Sequence, residues 1–276
     1  MATLQDRRDF YAQFIVKSAG SQDAALIDAF AHTPREHYMG PGPWPIFVGG
    51  GYLPTPTSDP QELYQDVLVG LATDRGINNG QPTLHAHCIA ALALRPGDQV
   101  LHIGAGTGYY SAVLAALVGT TGSVIACEIE ADLAVTAARN LRHLPQVKVL
   151  ASSGSEGVLP PADAIYVSAG ATHPLASWLD ALDSGGRLIF PLTPNEGFGC
   201  MLKVTRLETQ RYAAEALIRV AFIPCIGARD DAASAALTRA LETQSIRAVK
   251  SLHRGDAPGR TAWCVGNGWW LSTGAP

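Results

Sequence analysis

The 276-residue chain has little of what would place it in a membrane, in an oxidising compartment or on a nucleic acid. No apolar run reaches the roughly 18 residues that a membrane span needs. The five cysteines, at 88, 127, 200, 225 and 264, are scattered and odd in number, with no C-x-x-C pair and no metal-ligand spacing. Reduced thiols and no bound metal are therefore expected, with Cys88 and Cys127 packed in a core. Lys and Arg number 20 against 24 Asp and Glu, a net charge of −4, which excludes the basic footprint of a nucleic-acid binder. The first residues show no signal-peptide h-region, so a cytoplasmic protein is expected. No concentrated His/Asp or Cys/His set, internal repeat or low-complexity tract is found.

What is present centres on residues 99–109, QVLHIGAGTGY. Val100, Leu101 and Ile103 form a buried-strand run, Gly104 to Gly108 a glycine turn, and Tyr109 to Val118 an apolar helix closed by Gly119. Glycines let a ligand approach the backbone, and the helix opens with free N–H groups that suit an anionic or polar ligand. A dinucleotide fingerprint would need a third glycine at 109, where Tyr109 stands, so a nicotinamide-dependent oxidoreductase is the weaker reading. The next strand, Ser123 to Cys127, ends at Glu128, 24 residues after Gly104. A carboxylate there can accept both hydroxyls of a ribose, much as the acidic residue about 20 residues on does in dinucleotide binders.

Hydrophobic residues make up 47% of the chain, ample for one large domain with extensions. Helices are expected over 4–18, from Asp23 to His32, and from Pro82 to Leu94. Residues 40–60, rich in Gly and Pro, read as a loop or arm rather than a packed element. Trp44, Phe47 and Tyr52 suit an arm that docks onto a partner subunit or covers a site. Residues 63–72 suit strand or helix equally. Strands at 99–103, 123–128, 147–150, 162–168 and 187–192 alternate with helices at 109–118, 131–143 and 174–183, which predicts an α/β fold with a mostly parallel sheet covered on both faces. Gly199–Arg206 and Ala216–Ile223 are expected to add an antiparallel edge. An amphipathic helix is expected over Asp230–Glu242 and a hairpin around Gly266-Asn267-Gly268. The domain reading is 1–75 for N-terminal helices and arm, 76–229 for the α/β domain, and 230–276 for a helix and Trp-rich hairpin packed on it.

Strand, G-x-G-x-G, helix, strand ending in Glu resembles the Rossmann-like fold of S-adenosylmethionine-dependent methyltransferases, more so with Gly185-Gly186-Arg187-Leu188-Ile189-Phe190-Pro191 downstream. Five stretches, spread over Leu26 to Arg229, resemble the protein-L-isoaspartate O-methyltransferase family: residues 27–35, Gly80-Gln81-Pro82-Thr83-Leu84-His85-Ala86, residues 95–109, Leu182 to Pro191, and Val220-Ala221-Phe222-Ile223-Pro224. The resemblance implies S-adenosyl-L-methionine as cofactor and methyl transfer to a carboxylate of a protein, a peptide or a small molecule. It places Gly104, Ala105, Gly106, Gly108 and Tyr109 around the methionyl part of the cofactor, Glu128 on the ribose, Ile129 against the adenine, and Ser153 and Gly154 beside the base. Asn79, Gly80 and Gln81 would form the roof between cofactor and acceptor, with His85 holding the methionine end or serving as a base.

Two departures stand out. The family's Ser or Thr, whose hydroxyl is placed at the acceptor carboxylate, is Gly80 here, with the amide of Asn79 as a substitute. The family's Gly-Asp-Gly after the third strand is Ser153-Gly154, without a carboxylate. These leave open a dedicated peptide or small-molecule acceptor, or a cofactor-binding member without isoaspartyl repair. They also suggest that Gly80→Ser would restore the acceptor hydroxyl. His102 is expected as a satisfied core histidine and His173 at the carboxyl edge of the sheet. A homodimer through 40–60 is a further expectation.

Overall fold

Val124 to Cys127 form an unbroken apolar run, and Leu133, Ala134, Ala137 and Leu141 repeat at helical spacing soon after it. The first pattern suits a strand covered on both faces, the second a helix lying along one of them. Both form, at Ser123–Glu128 and Ala131–Leu141. The computed structural model describes residues 3–255 and 257–276. In chain order its elements are α1 (Leu4–Ser18), α2 (Ala24–Ala31), β1 (Pro45–Val48), β2 (Gly51–Pro54), β3 (Gly70–Ala72), β4 (Ile77–Asn78), α3 (Pro82–Leu92), β5 (Gln99–Ile103), α4 (Tyr109–Val118), β6 (Ser123–Glu128), α5 (Ala131–Leu141) and β7 (Val147–Ala151). There follow β8 (Ala162–Val167), α6 (Ala176–Ala181), β9 (Leu182–Leu192), β10 (Gly199–Glu208), β11 (Arg211–Val220), α7 (Asp231–Thr243), β12 (Ser251–Arg254), β13 (Ala262–Gly266) and β14 (Trp269–Ser272). Among the described residues no helix is long and apolar enough to cross a membrane.

The chain divides into two compact units, residues 1–98 with 105–152, and residues 99–104 with 153–276. In the first unit α1 opens on a capping box in which Thr3 and Asp6 bond reciprocally. It packs on α2 and α3, α2 packs on α4, and β6 runs parallel to β7. The core there holds Tyr11, Ile15, Leu26, Phe30, Leu63, Ile89, Tyr109 and Leu114. Arg35 is fully buried in it. A permanent cation without water needs compensation. Its guanidinium donates to the carbonyls of Leu63, of Gln65 at 3.0 Å and of Val67 at 3.5 Å, and lies over the Tyr11 ring at 5.5 Å and the Tyr109 ring at 5.8 Å. The segment after residue 60 is thereby pinned to the helices. Two hairpins, β1–β2 and β3–β4, complete the unit.

In the second unit β8 lies between β5 and β9, both parallel to it. From β9 the sheet continues antiparallel through β10, β11, β12 and β14 to β13. The Trp-rich hairpin is thus a continuation of the sheet rather than a separate piece packed on it, because Ser251–Arg254 supplies a strand between β11 and β14. Three further expectations are corrected. The arm contains a regular hairpin at 45–54, closed by Gly49-Gly50 at φ +61° and +100°. The helix expected over 174–183 is only α6, Ala176–Ala181, because pairing of Leu182 with Ala162 draws the next residues into β9. Residues 63–72 hold a single 3₁₀ turn ending at Leu63 and then the short β3, neither a full strand nor a helix.

Candidate active site

The turn after β5 is built mainly in the first unit. Ala105 N–H donates to the Cys127 carbonyl at 3.1 Å, and Gly108 N–H to the Ala105 carbonyl at 2.9 Å. Glu128, at the end of β6, accepts from Gly106 N–H at 2.6 Å through one carboxylate oxygen and from Glu130 N–H at 2.9 Å through the other. Its side chain is buried, and burial raises its pKa more than these N–H bonds lower it. Each of its oxygens keeps a further lone pair. Gly106 has φ +57°, and a Cβ there would stand 3.2 Å from Leu71 Cδ1 of β3. Thr107 is buried with no partner for Oγ1, while its carbonyl accepts from Asn140 Nδ2 at 3.0 Å. Ile129 is 43% exposed, an open apolar surface beside the Glu128 carboxylate.

Tyr109 differs from the sequence reading. Its ring is fully buried, edge-on to Tyr38 at 5.7 Å and tilted against Phe30 at 6.3 Å. A side chain committed to the helical core leaves only its main-chain N–H, at the start of α4, for a ligand.

The loop before α3 is held from several sides. Asn78 Oδ1 accepts from Gly80 N–H at 2.9 Å, and Asn79 N–H donates to the Val69 carbonyl at 2.8 Å. Asp66 bonds Thr83 N–H at 2.8 Å through one oxygen and Gln81 Nε2 at 3.0 Å through the other, so it caps α3 from a distance. Asn79 is buried, with Nδ2 unpartnered. His85 is buried with its ring stacked on Tyr110 at 3.7 Å and 9°. Gly80 sits at φ +73°, and a Cβ on it would fall 2.0 Å from His85 Nε2. A side chain on Gly80 therefore requires the imidazole to move, so Gly80→Ser would not simply add a hydroxyl to the loop as it stands. Arg75, in the turn between β3 and β4, pairs with Glu130 and, at 2.7 Å, with Asp132, tying that turn to the end of β6.

Within the first unit, then, Ala105, Gly106, Gly108 and Glu128 come together, and β3 and Tyr110 join them to Asn79, Gly80, Gln81 and His85. Gly104, Ser153 and Gly154 belong to the second unit. There a Cβ on Gly104 would meet the Ser168 carbonyl carbon at 3.4 Å, and one on Gly154 would meet Ile103 Cγ1 at 2.6 Å. Trp178 Nε1 donates to the Gly154 carbonyl at 2.8 Å, and Ser153 Oγ accepts from Ser155 N–H at 3.1 Å. His102 is a core residue, 3.1 Å from Ser168 Oγ, its pKa lowered by burial to about 3. His173 is half-buried at the carboxyl edge, its Nδ1 3.0 Å from Thr172 Oγ1.

Three contributors escaped the sequence reading. Asp66 lay in a stretch of ambiguous period. Arg35 stood only in a family-like corner, with no sign that it would be buried. Arg229 ties the loops after β8 and β9, bonding the Gly170 carbonyl at 3.0 Å, the Thr193 carbonyl at 3.1 Å and Asn195 Oδ1 at 2.7 Å.

Comparison with known proteins gives the family and the fold. The family model described as protein-L-isoaspartate(D-aspartate) O-methyltransferase (PCMT) matches residues 51–230. Protein-L-isoaspartate O-methyltransferase 1 of Geotalea uraniireducens is 33% identical over 229 residues, 82% of this chain and 95% of that one. A relative of the same name from Rhodopseudomonas palustris is 31% identical over 84% of this chain and 88% of its own. Two solved structures share the fold. One, a protein-L-isoaspartate O-methyltransferase, has TM-score 0.68 and 23% identity, covering 85% of this chain and 69% of that one. The other, a beta-aspartate methyltransferase (PCMT) from Plasmodium falciparum in complex with S-adenosyl-L-homocysteine, has TM-score 0.64 and 18% identity, covering 80% of this chain and 98% of that one. The chain has the Rossmann-like α/β methyltransferase fold and belongs to the protein-L-isoaspartate O-methyltransferase family.

Proposed function

We propose that this protein is an S-adenosyl-L-methionine-dependent O-methyltransferase that esterifies a carboxylate of isoaspartyl residues in a protein or peptide. The observation that carries the donor half is the buried Glu128 carboxylate bonded to Gly106 N–H. The residues fit the group: Glu128 has acceptor capacity left for ribose hydroxyls, Gly106 is free of a side chain, the first N–H groups of α4 follow the turn, and Ile129 offers an open apolar face. When bound, the cofactor supplies an activated sulfonium methyl.

The acceptor half rests on the family and on Asn79. A carboxylate with a reference pKa near 4 is ionised at neutral pH and needs no general base. The chain's task is alignment at about 3 Å and exclusion of water, which can contribute ~7–11 kcal/mol. The buried, unpartnered amide of Asn79 is a donor suited to an acceptor oxygen, since an orphaned donor costs roughly 1–3 kcal/mol until it is satisfied. Asp66 and Gln81 hold that loop, and His85, stacked on Tyr110, spans from it to the donor turn.

The test is transfer of labelled methyl from S-adenosyl-L-methionine to an isoaspartyl peptide and to its aspartyl control. Base-labile label on the first alone is the expected result. Base-stable label, or equal labelling of both, would reject the acceptor reading.

A further inference from the structure

Residues 40–58 contain no charged side chain. Within them, β1 and β2 form a sheet of two strands. The β1 edge faces inward: Phe47 N–H donates to the Leu68 carbonyl at 3.0 Å, and Ile46 bridges to Val69. The β2 edge has no strand partner but β1 among the described residues. Leu53 is 57% exposed, Val48 51% and Phe47 40%. The hairpin is nonetheless firmly seated. Trp44 at its root is buried and donates its indole N–H to the Gly40 carbonyl at 2.9 Å, and the Tyr52 ring lies 3.3 Å from where a Gly70 Cβ would stand. Natural edge strands are usually blunted by lysine, proline or a bulge. In this register Tyr52 and Pro54 face outward from β2, so the free edge offers the Tyr52 N–H and carbonyl and the Pro54 carbonyl.

Its place in the unit says what it is for. The Val69 carbonyl that follows the bridge to Ile46 also accepts Asn79 N–H, and two residues later Leu71 meets the donor turn at Gly106. Hairpin, acceptor loop and donor turn are hung on one short segment. We propose that the free edge of β2, with Val48 and Leu53, binds the acceptor polypeptide in extended form: main-chain hydrogen bonds to β2, and uncharged apolar side chains on the exposed ones. The inference rests on the acceptor being a polypeptide. A second copy of this chain fits less well, since four residues per strand span about 13 Å, and three exposed side chains fall well short of the ~1,000 Å² of a stable interface. An added peptide strand matches that length. Strands lie about 4.8 Å apart, so a chain on β2 is about 14 Å from the Val69 segment and about 19 Å from Asn79, which pairs on the far side of that segment. The docked residues therefore stand about six positions from the methylated one.

The experiment measures anisotropy of a labelled aspartyl peptide, which accepts no methyl, bearing apolar residues about six positions from the aspartate. Its partner peptide carries Lys and Glu there. The apolar peptide is expected to bind about tenfold tighter. Val48→Lys with Leu53→Lys, both at exposed positions, should abolish that preference, and N-methylation of the docking segment should do the same. In methyl transfer to an isoaspartyl peptide of the same flanks, KM should rise while kcat and donor affinity stay unchanged. A short acceptor lacking the flank should be unaffected. Equal binding of the two peptides, or binding indifferent to the lysines, overturns the proposal. So does sedimentation showing a dimer that the lysines dissociate. Because the binding arm uses a non-reactive peptide, failure of isoaspartyl methylation is distinguishable from failure of docking.

Discussion

Gly80→Ala is the sharpest probe of how the acceptor loop is built. A non-glycine residue at φ +73° costs roughly 1–2 kcal/mol. The new methyl would stand 2.0 Å from His85 Nε2, well inside contact, so the imidazole has to move. Leaving its stack on Tyr110 costs a further ~0.5–1.5 kcal/mol. Reduced freedom of the unfolded chain offsets about 0.4–1 kcal/mol. The net destabilisation is about 0.5–3 kcal/mol, and at about 2–4 °C per kcal/mol the melting temperature falls by roughly 1–12 °C. Denaturant unfolding gives the free energy, and the His85 ring resonances report the stack. Acceptor KM should rise along with it. An alanine variant as stable as the parent, with the His85 resonances unmoved, would refute the interlock of Gly80 and His85.

Other substitutions separate the remaining parts. Glu128→Gln replaces one acceptor oxygen by an amide nitrogen that cannot accept, so either Gly106 N–H or Glu130 N–H loses its partner and donor binding should weaken. The folded pKa of Glu128 is raised, so the fold favours its protonated form; that contribution is full below the ordinary carboxylate value and is lost as pH rises through the raised one. Loss of charged hydrogen bonds worth about 1.5–3 kcal/mol predicts a roughly 10- to 150-fold weaker Kd by calorimetry, and an unchanged Kd would reject the ribose role. Asp66→Ala removes two bonds to the loop and should cost about 1–2 kcal/mol with a raised acceptor KM, whereas unaltered kinetics would detach it from the site. Arg35→Lys cannot reach all three carbonyls and should destabilise by about 3–5 kcal/mol in denaturant unfolding, while a loss near zero would contradict its clamp role. His102, neutral in the fold with a pKa of about 3, makes the unfolded chain bind one more proton below its ordinary value of 6.5; stability should fall as pH drops from 6.5 towards 3, and His102→Phe should flatten that slope.

The strand, glycine turn, helix and acidic strand end around residues 99–128 were legible in the chain itself. Their information is local: apolar period, glycine where the backbone must turn sharply, and a carboxylate at the end of a strand. The same holds for the helices at 4–18 and 109–118 and for the hairpin at Asn267-Gly268. What tertiary contact decided was which side chain fills which space. Tyr109 turns into the core because Phe30 and Tyr38 stand there. Gly80 is bare because an imidazole five residues on occupies its side-chain volume. Asp66 caps a helix that begins 16 residues later, and Arg35 is buried because three carbonyls from a distant segment converge on it. Pairing across long sequence separations carries no period along the chain, so only the folded structure could reveal it.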